Sequence, residues 1–124
     1  MEIYMPKTGN ISDEELLLMY AELSMRHGEA TEAGNYKAAN KAHDELLKVY
    51  DRIRNRGEAC LYRLIPLLQS SHPGTRLWAS SHCLSLVGKE AEVVLEELAK
   101  IPRSFLAFSA KKTLEEWRSG NLHL

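Results

Sequence analysis

Cysteine is scarce in this chain: only Cys60 and Cys83 occur among 124 residues. Two thiols cannot build a disulfide framework. A domain of this size buries roughly two-thirds of its unfolded surface and folds without such staples. The pair therefore reads as small buried apolar residues in a reducing compartment. A basic excess is also missing, since 16 basic residues face 17 acidic ones and the net charge is −1. That balance argues against a dedicated nucleic-acid binder. No run approaches the ~20 apolar residues of a membrane helix, and the longest apolar block, Leu61 to Leu68, is interrupted by Arg63. Residues 1–7 lack the basic start and apolar run of a signal peptide, so the expectation is a cytoplasmic protein without a membrane partner. Glycines are few and scattered. Gly28, Gly34, Gly57, Gly74 and Gly88 form no phosphate-cradling loop and read as turn or helix-end residues.

No segment alternates apolar and polar residues in the manner of a strand, and helical spacing dominates instead. Residues 1–10, with Pro6 and Gly9, read as an irregular arm. Ser12 and Glu15 then form a capping box, flanked by the staple pair Ile11 and Leu16. The line Leu16, Met19/Tyr20, Leu23, His27, Ala30 predicts a first helix that ends at Gly34. Asn35 caps a second, whose stripe is Tyr36, Ala39, His43, Leu46/Leu47, Tyr50 and Ile53. Residues 11–57 are thus expected to form an antiparallel hairpin. A third helix is expected over about 58–68, kinked near Pro66. Pro73 opens a fourth that ends at Gly88, a fifth covers about 89–100, and Ser104 caps a sixth reaching Arg118.

Residues 58–120 repeat themselves. Pro73 and Pro102 lie 29 apart, while Trp78-Ala79-Ser80 and Leu84 match Phe108-Ser109-Ala110 and Leu114 at a separation of 30. A helix–turn–helix unit used twice must stack to bury its apolar faces. Leu67 to Leu86, with Pro73, Arg76-Leu77-Trp78-Ala79 and Leu84, resembles a HEAT-type repeat. Residues 14–122, especially Phe108 to Trp117, are similar to short bacterial HEAT-like proteins of uncharacterised function. The resemblance implies an all-α, single-domain α-α superhelix of six antiparallel helices. Some small HEAT-like proteins of this kind are immunity proteins for secreted bacterial toxins.

Catalytic constellations are weak. His27 and His43 fall on the inner stripes of the first two helices and can face each other, but a tetrahedral metal site needs two further ligands. Cys60 lies in Gly57-Glu58-Ala59-Cys60-Leu61, which is no nucleophile elbow. The expectation is a non-enzyme with no cofactor and no metal.

Charge is the more informative signal. Residues 1–34 hold seven acids and two bases, whereas residues 35–57 hold three acids and six bases. Packing of the two helices against each other is the simplest use of that contrast. Glu15, Glu22 and Glu29, seven apart, form an acidic stripe that suits a cationic partner such as a nuclease-type toxin. Trp78 and Phe108 are the matching candidate anchors of the two repeats. The function expected is non-catalytic protein binding, with toxin neutralisation its sharpest form. The alternatives are a HEAT-like DNA-binding or base-excision protein, or an assembly scaffold.

Overall fold

The computed structural model describes residues 11–122, so the irregular arm expected over residues 1–10 lies outside the described residues. Six α-helices and one 3-10 segment make up the fold, with no strand among the described residues. They are α1 (Asp13–Glu32), α2 (Tyr36–Asn55), α3 (Glu58–Tyr62), α4 (Pro73–His82), α5 (Gly88–Ala99) and α6 (Phe105–Arg118), with the 3-10 turn Ile65–Gln69 between α3 and α4.

Local chemistry sets most boundaries. The Ser12 hydroxyl accepts the Glu15 N–H at 3.1 Å, the Asn35 side chain accepts from Ala38 N–H, and Ser104 accepts from Ala107 N–H. Each cap satisfies a donor the helix leaves open. Replacing Ser12 with alanine is therefore expected to cost about 1 kcal/mol, read as a lower urea midpoint at unchanged slope; an unchanged midpoint would show that the cap is idle. Gly34 turns the chain into α2 with φ +72°, a region that suits glycine.

Two expected boundaries are corrected. The third helix does not reach residue 68, because Pro66 cannot donate to the Tyr62 carbonyl; α3 stops at Tyr62 and the chain tightens to 3-10 geometry. The fourth helix ends at His82, so Leu84 lies in the next turn and Gly88 begins α5.

Helix α1 is the hub, packing on α2 along its length and also on α4 and α6. Leu16, Tyr20 and Leu23 of α1 join Leu46, Val49 and Ile53 of α2, Leu77, Leu95 and Leu98, and Leu114 in one continuous core. The α1–α4 crossing is built differently, from small residues. Ser24 donates to Thr75 Oγ1 at 2.9 Å in a buried pair, and both hydroxyls also reach the Ala21 carbonyl. Gly28 faces Gly74 so closely that a Cβ on Gly28 would lie 2.7 Å from the Gly74 Cα. Gly28 is thus no turn residue. It lies inside α1, buried, where the missing side chain lets two helix backbones meet.

The proposed repeat is matched unevenly. Ser80 and Ala110 are both buried, as are Leu84 and Leu114. Trp78 and Phe108 are not equivalent. Trp78 is half-buried because it packs on His27 of α1 and His43 of α2. α6 packs through Leu106, Ala107, Ala110 and Leu114, which turns Phe108 outward, 70% exposed.

Candidate functional site: a ring cluster beside an acidic helix

Three helices each contribute two rings to one cluster. Spacings of seven place Tyr20 with His27 on one side of α1 and His43 with Tyr50 on one side of α2. The antiparallel hairpin sets residue 27 beside 43 and, two turns away, 20 beside 50. α4 adds Trp78 and His82, one turn apart. The result is two tiers of three rings. In one tier, His27 lies 6.0 Å from His43 and 5.2 Å from Trp78 between ring centroids, with Trp78 5.6 Å from His43. In the other, His82 stacks on Tyr50 at 3.6 Å and 5°, and Tyr20 lies 5.8 Å from His82. Trp78 and His82 link the tiers at 5.5 Å.

Two hydrogen bonds lock the rings. The Trp78 indole N–H can only donate, and it donates to His27 Nδ1 at 3.0 Å. His27 therefore keeps a lone pair on Nδ1 and its proton on Nε2. The Tyr20 hydroxyl and His82 Nδ1 are 2.7 Å apart. A buried phenol needs an acceptor, so Tyr20 donates and His82 is neutral with its proton on Nε2. No buried side-chain polar atom among the described residues lacks a partner.

Electrostatics agree with that assignment. Burial, with Arg54 adding repulsion, pushes His82 down to about 3. Burial and the neighbouring His43 lower His27. Burial raises the Tyr20 phenol well above its usual range, raises Tyr50, and pushes the Cys83 thiol up to about 11. At neutral pH His27 and His82 are uncharged, Tyr20 and Tyr50 stay phenols and Cys83 stays a thiol. The cluster's imidazole–carboxylate contact is His43 Nδ1 to Asp44 Oδ1, long at 3.4 Å. The nearby hydroxyls of Ser80 and Ser81 are spent on backbone carbonyls. His27 and His43 do face each other as expected, but among the described residues no group of three or more His, Cys, Asp or Glu is placed to hold a metal. The arrangement can stack and hydrogen-bond; it holds no activated nucleophile.

The acidic stripe runs along α1. Charge pairing between α1 and the later helices uses other carboxylates. Asp13 pairs with Arg56 at 2.8 Å, and Glu14 with Arg63 at 2.9 Å. Glu22 is bound within its own helix to Arg26 at 2.9 Å. Glu15 and Glu29 are exposed and make no ion pair among the described residues. Of the five residues expected to bind a partner, Trp78 sits in the ring cluster, Glu15, Glu22 and Glu29 lie on α1, and Phe108 is on α6, where Phe105 is also 56% exposed.

Sequence reasoning missed the second tier, Tyr20, Tyr50 and His82, which joins the two histidines only through Trp78. The signal was present as paired spacings of seven, but both tyrosines read as ordinary stripe residues.

No helix among the described residues is long and apolar enough to cross a membrane. No curated protein matches the chain. A crystal structure of a protein from Rhodopseudomonas palustris CGA009 superposes with a TM-score of 0.81 at 17% identity, covering 93% of this chain and 95% of that one. That likeness concerns the fold. A family model described as a domain of unknown function, DUF2019, matches residues 14–117, and the chain belongs to that family.

Proposed function

We propose that the protein is a non-catalytic binding module whose partner is a cationic protein, and that its sharpest biological form is an immunity protein that covers a toxin's active groove. One observation carries the reading. The complementary charge of α1 and the later helices is satisfied through Asp13 and Glu14, which leaves Glu15 and Glu29 exposed and without an ion pair among the described residues. Carboxylates not needed for folding on a rigid 20-residue helix are suited to steering a basic partner. The two hydrogen-bonded ring pairs support a binding role over a chemical one, since Cys83 stays a thiol and His27 and His82 stay uncharged acceptors. In this reading the helices stack as a HEAT-like superhelix and α1 offers its acidic side to solvent.

The test is affinity capture from the native cell with wild-type protein and the Glu15→Lys/Glu29→Lys variant, with mass spectrometry as the readout. A basic protein should be retained by the wild type and depleted about 10-fold by the double reversal, in a salt-sensitive manner. For the immunity form, deleting the gene should sensitise cells to a toxin encoded nearby. Equal capture by both proteins, or capture of acidic partners only, would overturn the reading.

A further inference from the structure

A second feature shares Glu29. The Gly28–Gly74 crossing brings the second half of α1, the start of α4 and the start of α6 together around a cleft of about 480 Å³. Part of its wall is apolar, formed by Met25, Pro73, Ile101 and Leu106. Glu29, Glu32, His72 and Ser104 also line it, and no lysine or arginine does. Glu32 is held in place, because its Oε1 accepts the Leu106 N–H at 2.8 Å and the Ser104 hydroxyl at 3.2 Å.

Magnitudes decide the sign of the field. Each helix end carries about half a unit charge. The starts of α4 and α6 and the end of α1 together contribute about +0.5, against two full negative charges from the glutamates. The cleft is net anionic around an apolar floor. An anion or a purely apolar group fits it poorly. An aliphatic stem ending in a cation fits both parts, the stem on Met25, Ile101 and Leu106 and the charge near Glu29 and Glu32. We infer that this cleft receives a basic side chain, lysine or arginine, projecting from the protein partner. The inference rests on the proposed binding role and adds to it a specific seat for one residue of that partner.

Hexylammonium, a stem and cation without a partner attached, is the probe. Titration into isotopically labelled protein should shift the amides of Gly28, Gly74 and Leu106 saturably. Hexanoate, with equal stem and opposite charge, should bind at least about 10-fold more weakly, and Glu29→Gln should weaken hexylammonium about 3-fold or more. Glu29 is exposed, so this variant keeps the fold. Equal binding of hexanoate, absence of saturable shifts at these amides, or shifts centred on Phe105 and Phe108 instead would overturn the inference. Glu15→Lys separates this from the parent proposal, since Glu15 does not line the cleft. If Glu15→Lys depletes the captured partner but hexylammonium does not bind, only the cleft assignment fails. If hexylammonium binds and Glu15→Lys leaves capture unchanged, the acidic-stripe reading fails and the cleft stands.

Discussion

Replacing Gly74 with alanine is expected to lower stability by about 2–3 kcal/mol and the melting temperature by roughly 10 °C. An added Cβ would lie 2.5 Å from the Ser24 carbonyl oxygen and 2.9 Å from the Gly28 Cα. Both obstacles are backbone, so no rotamer change relieves them and the helices must move apart. Gly28→Ala is the sharper comparison. Helix propensity alone predicts a gain of about 1 kcal/mol for alanine inside a helix. The contact at 2.7 Å predicts a loss instead. Gly88 supplies the control, because nothing lies within 4 Å of a Cβ built there. Gly88→Ala should be neutral or slightly stabilising. Thermal melts of the three variants read the result, and a Gly28→Ala protein as stable as wild type would show that the crossing is not tight. Separating α1 from α4 also withdraws Trp78 and His82 from the rings of α1 and α2. The near-ultraviolet circular dichroism of Trp78 and the tyrosines should therefore fall in the Gly74 variant before the far-ultraviolet signal does.

Acid is expected to destabilise the fold through His82. Its ordinary value is 6.5 and its folded value is about 3. Around it stand Tyr20 from α1, Tyr50 and Arg54 from α2, and Trp78 from its own helix, with Cys83 next in the chain. None offers a carboxylate to stabilise an imidazolium, and Arg54 opposes one. Between pH 6.5 and 3 the unfolded chain binds a proton at this position that the folded chain refuses. The stabilisation is thus complete above pH 6.5 and is lost as pH falls toward 3, by about 1.4 kcal/mol per unit. By about pH 4 the loss from this group approaches 3 kcal/mol. Carboxylates add their own acid dependence, so a difference is measured. The Tyr20→Phe/His82→Phe protein removes both ends of the hydrogen bond together and leaves no orphaned phenol. Urea denaturation from about pH 7 to 4 should show the wild type losing about 3 kcal/mol more than this variant. Parallel pH profiles would rule out His82 as the cause.

Much of the architecture is legible in the residues. Ser12, Asn35 and Ser104 each stand at the cap predicted for them, because a cap needs only a side-chain acceptor and the next three residues. The α2 stripe is nearly right. Ala39, Leu46 and Ile53 are buried as expected, with Ala42 and Val49 completing the face, while Tyr36 and Leu47 turn to solvent. The errors have a common source. Ser24 and Gly28 look like breaks in an apolar pattern, yet they are among the buried residues of α1. Periodicity scores apolar volume and is blind to a contact whose whole purpose is the absence of volume. Likewise, 30-residue spacing equates Trp78 with Phe108, but burial depends on how many helices flank the position, and α6 comes last in the stack.

Cysteine scarcity, balanced charge and the lack of any strand pattern were enough to settle an all-helical chain of ordinary globular composition. Caps, proline and glycine placed its helices, since those signals act over one turn. Tertiary structure alone decided the rest. It chose which carboxylates of α1 pair and which stay exposed, it joined six rings from three helices into one cluster, and it opened an anionic cleft beside two touching glycines. Each of these depends on side chains far apart in the chain meeting across a packed interface, as Trp78 meets His27 and Arg56 meets Asp13. Local propensity carries no information about such meetings, because the distances that govern them exist only after the chain has folded.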